Sequence, residues 1–213
     1  MSALTSVLPG WAHAPTLDVV ARTHRGPGVS RGRRVARRVR RIRLNAREWE
    51  AECASGREPC GDIPDTQAFV TFMSPDGTFS LKVPEGWSRA QTGSSTLFID
   101  KFNSVRVETT TMPSPPTVAS ATAVEVPAIA AATPGFKLGT VSTVRRSAGD
   151  AVLVTYRADS TTDAVTGRSV RLEVERYEFA KNGQQAALTL SAPVGADNVD
   201  PWKTITNSFG WAA

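Results

Sequence analysis

The dipeptide Asn182-Gly183, set between "VRLEVERYEF" and "QQAALTLSAP", constrains this chain more than any other feature. Asn-Gly readily takes the positive backbone φ of a two-residue hairpin. The runs on either side alternate apolar and polar residues with many Val, Leu, Tyr and Phe. A pair of long antiparallel strands is therefore expected over residues 169–179 and 186–192. In the first of them Val170, Leu172 and Val174 share one parity, whereas Tyr177 and Phe179 have the other. The switch predicts a bulge near Glu175 or Arg176, because one extra residue exchanges the faces of a strand.

The same texture recurs upstream. In "SPDGTFSLKVPEGW", Pro75-Asp76-Gly77 is turn chemistry, Phe79, Leu81 and Val83 alternate with Ser80 and Lys82, and Pro84-Glu85-Gly86 closes the strand that opens the sheet. "STLFIDKF" and "SVRVETTT" predict a second hairpin across Lys101-Phe102-Asn103, with Val105 and Val107 on one face and Arg106 and Glu108 on the other. The alternation then breaks in "PSPPTVASATAVEVPAIAAATPGF". Ser114 before Pro115-Pro116 marks a helix start and Pro127 a kink or restart, giving one or two short helices. Strands resume over residues 136–144 and 152–158. Near the end, Asp197 or Asn198 is placed to cap a helix whose Val199, Trp202 and Ile205, three apart, fall on one face. The reading is α+β: a meandering antiparallel sheet of about six or seven strands, a mid-chain helical insertion and a C-terminal helix.

Charge and reactive side chains divide the 213 residues sharply. Residues 1–60 hold 12 Arg, no Lys and 5 acidic residues, whereas residues 61–213 hold 8 Arg, 5 Lys and 15 acidic residues. The net charge of +5 is thus owed to the first segment. Both histidines (His13, His24) and both cysteines (Cys53, Cys60) also lie there. Beyond residue 60 the chain cannot build a Ser-His-Asp or Cys-His site, a thiolate centre or a zinc site of nitrogen and sulfur ligands. Carboxylates remain, densest at Asp159, Asp163, Glu173, Glu175 and Glu178. On a strand Glu173 and Glu175 share a face, and the bulge would carry Glu178 to join them. Paired carboxylates can do acid–base work. The plainer reading is a solvated face neutralised by Arg171 and Arg176. Trp87, Trp202 and Trp211 either line a ligand groove or fill core, and Arg145 and Arg146 end a strand as exposed residues.

In "RGRRVARRVRRIRLNAREWE", residues 31–50, a helical reading places Val35, Val39, Ile42, Ala46, Trp49 and Cys53 on a narrow apolar stripe. Arg33, Arg34, Arg37, Arg38, Arg40 and Arg41 then cover the other faces, a basic arm suited to anionic lipid or a phosphate backbone. Twelve arginines without a lysine are equally what GC-rich DNA encodes when read upstream of a true start or out of frame. Residues 1–64 are therefore read as a leader, disordered or not native, and residues 65–213 as the folded domain. The longest apolar stretches fall short of the ~20 residues that span a bilayer. No apolar run of about 7–15 residues follows the arginines to make an export signal. Cys53 and Cys60 match no familiar metal spacing.

Taken in order, "DGTFSLKVPEGW", "VTGRSVRLEVERYEFAKNGQQAALTLSAP" and "WKTITNSFGW" resemble the PsbP-like domain family across residues 67–211, in particular its actinobacterial lipoprotein type and the LpqN-type fold. Plant members of that family are extrinsic subunits of photosystem II, and actinobacterial relatives are mostly cell-envelope lipoproteins. The resemblance implies an α-β-α sandwich on an antiparallel sheet, and a non-enzymatic role in binding or assembly outside the membrane. It implies no cofactor, and metal sites that depend on histidine do not carry over. Cys60-Gly61-Asp62 stands where relatives have a lipid-modified cysteine, although Arg57-Glu58-Pro59 replaces the small and apolar residues expected before it. The expectation is a monomer of the cell envelope that takes a protein or a small envelope ligand. Membrane association would come through a lipid anchor, and nucleic acid is not expected as a partner. The alternative is a cytosolic protein whose basic arm binds nucleic acid or anionic membrane. The candidate groove or partner surface is Trp87, Trp202 and Trp211 with Glu173 and Glu175.

Overall fold

In a computed structural model, residues 61–162 and 169–212 are described. The arginines of the basic arm, both cysteines and Asp163 lie outside them. Strands β1 (Phe69–Met73) and β2 (Phe79–Pro84) are followed by β3 (Ser88–Thr92), β4 (Ser95–Asp100) and β5 (Asn103–Thr111). A helical segment comes next: α1 (Val118–Ser120), a π-helical turn (Ala121–Glu125) and α2 (Val126–Ala132). Then come β6 (Lys137–Arg146), β7 (Gly149–Asp159), β8 (Arg171–Lys181), β9 (Gln184–Pro193), α3 (Val199–Ser208) and the short β10 (Gly210–Trp211).

Seven strands make one antiparallel sheet in the order β3-β4-β5-β9-β8-β7-β6. It is two meanders zipped together by β5 and β9, from Ser104 opposite Ser191 to Thr111 opposite Gln184. The α+β class and the strand number agree with the sequence reading. Asn182 and Gly183 have φ of 51° and 77°, the conformation that the β8–β9 hairpin requires.

Two departures are informative. First, β1 and β2 do not belong to the meander; with β10 they form a separate three-stranded sheet in the order β1-β2-β10. Second, β8 has no bulge, its register running unbroken from Leu172 to Phe179 against both β7 and β9. The change of parity has another cause: both faces of this strand are covered. Val174 packs in the layer with Val152, Val154, Tyr156 and the helical residues Ala121, Val126 and Ile129. Tyr177 and Phe179 face the opposite layer, with Leu81, Leu188, Ile205 and Phe209. The irregularity lies in β6 instead, between Leu138 and Val141.

The layers are thus the helical segment on one face, the seven-stranded sheet, and on the other face α3 together with the small sheet. Phe209 stacks on Phe79 at 5.8 Å and on Phe179 at 4.6 Å, joining the two sheets through one ring. The helical segment starts at Thr117 rather than at Ser114. Its hydroxyl accepts the Ser120 N–H at 3.0 Å while the Thr117 N–H donates to Ser120 Oγ at 2.9 Å, a reciprocal cap. Pro127 supplies the expected irregularity without breaking the helix. It has no N–H to give, and the chain widens just before it into a π turn in which the Val126 N–H reaches the Ala121 carbonyl.

Helix α3 starts at Asn198 as expected, but the side chain makes no cap hydrogen bond. It is buried, accepting the Ile63 N–H at 2.7 Å and donating to the Gly61 carbonyl at 3.0 Å and Asn103 Oδ1 at 3.2 Å. Val199 does not share the buried face. It is 72% exposed while Ile205 is at 0%, because steps of three residues drift by about 60° each around a helix of 3.6 residues per turn. The stripe that packs is Trp202, Ile205 and, just past the helix, Phe209.

Asn198→Ala removes the side-chain partner of the Ile63 N–H, of the buried Asn103 Oδ1 and of the partly buried Gly61 carbonyl. It is expected to cost about 2–3 kcal/mol, read as a lower denaturant midpoint with an unchanged slope.

Candidate functional site

On the α3 side of the sheet the core gives way to charge in steps of two residues. Successive cross-strand pairs between β7 and β8 are Ala151 with Phe179, Leu153 with Tyr177, Thr155 with Glu175 and Arg157 with Glu173. All share one face, so the strands run from an apolar end to a charged one. Trp202, half-buried, stands at the boundary. It packs on the core from α3 and walls a cleft of about 370 Å³ with Lys137, Thr155, Arg157, Glu173 and Glu175.

Each carboxylate is held by one oxygen. Glu173 Oε1 accepts Arg157 Nη2 at 2.8 Å, a half-exposed ion pair. Glu175 Oε2 accepts the Tyr177 hydroxyl at 2.6 Å. That hydroxyl accepts Arg146 Nη2 at 2.9 Å, and Arg146 lies 4.9 Å over the Tyr177 ring while its Nε donates to Thr206 Oγ1 on α3 at 3.1 Å. Burial, then the neighbouring Glu175, pushes the Tyr177 phenol up to about 12 against the pull of Arg146. A phenol so placed holds its proton and serves as an anchor for Glu175. Arg146 is therefore no idle exposed residue; Arg145, paired with Asp150 at 2.9 Å, is exposed as expected.

The far wall of the cleft is the irregular stretch of β6. A Cβ at Gly139 would come within 2.5 Å of Thr155 Oγ1, the atom that accepts the Thr140 N–H at 2.8 Å. Glycine is needed there for close approach of two strands. Chemically the cleft offers an indole surface, two carboxylates, two cations and the Thr155 hydroxyl, with no His or Cys among the residues that line it. That equips it to hold a ligand by hydrogen bonds.

Of the residues singled out in the sequence, Glu173, Glu175 and Trp202 come together. Trp87 and Trp211 do not; both pack against the main core, Trp211 edge-on to Phe209 at 5.4 Å and 82°. The Trp211 Nε1 is buried with no hydrogen-bond partner among the described residues. Arg171 neutralises Asp159 at 3.0 Å, but Arg176 does not meet Glu173 or Glu175. Lys137, Arg157 and the Arg146–Tyr177 anchor were missed, since their signal is cross-strand register rather than any local pattern.

Glu178 lies on the opposite face, with Glu108 and Arg176, because β8 keeps its register. Arg176 Nε donates to Glu178 Oε1 at 3.2 Å, Nη1 reaches Glu108 at 3.5 Å and Thr189 at 3.3 Å, and Nη2 lies 4.0 Å from Glu125 at the end of the π turn. Arg106 is 3.8 Å from Glu108. The Glu178 side chain is wholly buried and its Oε2 has no partner among the described residues. Burial raises its pKa; Arg176 opposes the shift and Glu125 reinforces it. Among the described residues no cluster of His, Cys, Asp and Glu has the geometry to hold a metal ion, and no helix is long and apolar enough to cross a membrane.

No family model matches the chain, and no curated protein does. Several solved structures are similar to it at low sequence identity. One from Bacteroides thetaiotaomicron is 14% identical with a TM-score of 0.45, covering 67% of this chain and 48% of its own, so that the chain spans about half of that protein. The cyanobacterial PsbP of Synechocystis is 15% identical with a TM-score of 0.46, covering 73% of this chain and 99% of that one. LpqN of Mycobacterium tuberculosis, described as involved in cell envelope biogenesis, is 14% identical with a TM-score of 0.39, covering 73% and 100%.

Glu178 holds its proton more tightly folded than unfolded. The stability this contributes is complete below the ordinary carboxylate pKa and is lost as pH rises through the raised folded value. Glu178→Gln cannot ionise, so its melting temperature is expected to gain on that of the wild type as pH goes from about 5 to about 8. Thermal melts across that range, followed by circular dichroism, check the sign.

Proposed function

We propose that the domain is a non-enzymatic binding module that acts outside the cytoplasm and takes its ligand in the cleft walled by Trp202. The observation that carries this reading is the state of the two carboxylates in the cleft. Glu173 is tied to Arg157 and Glu175 to Tyr177, each by one oxygen. General acid–base work calls for a carboxyl poised near the operating pH and within reach of a nucleophile or substrate proton. Here the partners are a guanidinium and a phenol that keeps its proton, and residues 61–213 contain neither His nor Cys. Held in this way, the carboxylates serve as fixed acceptors.

The extracytoplasmic setting rests on the resemblance to lipoproteins of the PsbP-like type and on Cys60-Gly61-Asp62 standing ahead of the domain. A second reading is favoured by the 12 arginines of residues 1–60: a cytosolic protein whose basic arm binds a polyanion. One measurement separates the two. The native protein is recovered from membrane and soluble fractions of its host, and its mass and N-terminal peptide are determined. The envelope reading expects a chain that begins near residue 60 or carries lipid, in the membrane fraction. A chain beginning at Met1 in the soluble fraction overturns it and calls for salt-dependent nucleic-acid binding as the next assay.

A further inference from the structure

We infer that the cleft beneath Trp202 is built for a neutral polyhydroxylated ring, a saccharide unit, rather than for an ion or a peptide. The inference deepens the binding-module reading and rests on it.

Charge gives the first reason. Lys137 and Arg157 face Glu173 and Glu175, so the lining is balanced and exerts no net pull on an anion or a cation. Arg157 is already committed to Glu173. An ionic ligand that left that pair intact would find one counter-charge, Lys137 for an anion or Glu175 for a cation, with a like charge of the lining close by. A neutral ligand meets no such cost.

The second reason is the distribution of hydrogen-bonding atoms. Glu173 Oε2 and Glu175 Oε1 are acceptors without partners among the described residues, and Lys137 supplies N–H donors while making no ion pair there. Donors from β6 and β7 thus face acceptors from β8 in one opening. A hydroxyl group both donates and accepts, so a ring bearing several can satisfy both kinds of atom at once. Bonds to charged partners are also the stronger ones.

Shape gives the third. Trp202 presents a half-buried indole at one wall while Glu173 and Glu175 project from alternate positions of β8 on the same face. A pyranose has an apolar C–H face and a polar rim, and would lay the first on the indole while directing the second at the carboxylates. The volume of about 370 Å³ is at the lower end of the ~300–1,000 Å³ usual for small-molecule sites, room for one or two such rings. The anchor from Arg146 through Tyr177 fixes the position of Glu175, so little side-chain freedom is lost on binding.

The test uses the full chain labelled with nitrogen-15 and records amide and indole resonances during titration. Probes are neutral mono- and disaccharides of gluco, galacto and manno configuration, and separately a zwitterionic dipeptide and inorganic phosphate. The expected result is a saturable shift of the Trp202 indole and of β8 amides with at least one sugar. Lys137→Ala and Glu175→Gln should each weaken it about tenfold or more, the loss expected for one hydrogen bond to a charged group, with the far-UV spectrum unchanged. Trp202→Ala should abolish it; because Trp202 also packs on the core, Trp202→Phe is run beside it and should retain partial binding. If the dipeptide or phosphate shifts the cleft resonances and sugars do not, the saccharide inference fails while the binding-module reading survives. If none of the probes moves them, or a sugar binds equally well to Lys137→Ala and Glu175→Gln, the cleft is not a saccharide site.

Discussion

Both faces of the seven-stranded sheet are covered, and the rest of the molecule follows from that. A strand buried on one side can shed water by alternating apolar and polar residues; one buried on both sides must be apolar at odd and even positions alike or find partners for whatever is not. β8 and β9 sit in the middle of the sheet and meet this demand differently. In β9 nearly every residue from Gln185 to Pro193 is buried, the alanines Ala186, Ala187 and Ala192 among them. β8 instead keeps charge at Glu173, Glu175, Arg176 and Glu178 and divides it between the two faces. Its even-numbered pair is sealed beneath the helical segment. Its odd-numbered pair opens on the cleft.

The sealed charges explain the form of the helical segment. Arg176 has four acceptors around it, on β5, β8, β9 and the π turn. A regular helix through residues 121–125 would stay narrow where the turn widens, and Pro127 would clash with the carbonyl four residues back. The π turn resolves both conditions, giving Pro127 room and bringing Glu125 within 4.0 Å of Arg176. Such a buried cluster contributes less to net stability than its ion pairs suggest, since desolvation offsets most of the attraction. Its effect is to fix how the helical layer sits on the sheet.

What could be read from the sequence was local. Asn182-Gly183, Pro75-Asp76-Gly77 and the Lys101 turn announce their hairpins because the backbone angles they permit are few. Glu173 and Glu175 share a face because they are two apart on a strand, whatever that strand pairs with. What could not be read depends on which layer covers which face. Alternation shows that a strand has two sides without showing whether either is wet, so the change of parity at Tyr177 looks the same for a bulge and for double burial. Only the pairing of β7 with β8 separates them, and that pairing puts Glu178 beneath the helices instead of beside Glu175. The three tryptophans pose the same problem. All three pack against the main core, and only Trp202 also walls the cleft, a difference set by residues far away in the chain.

The ring of Phe209 stacks on Phe79 of the small sheet and on Phe179 of the large one, and β10, which completes the small sheet beside β2, follows it in the chain. Every strand of the large sheet is therefore synthesised between Phe79 and the ring that covers it. The two meanders can form one after the other as they emerge from the ribosome. The interface between the sheets cannot close until Phe209 has emerged as well. Until then the row of Phe and Leu side chains on that face of the large sheet lacks the layer that covers it in the folded domain, the kind of transiently exposed apolar surface that favours aggregation.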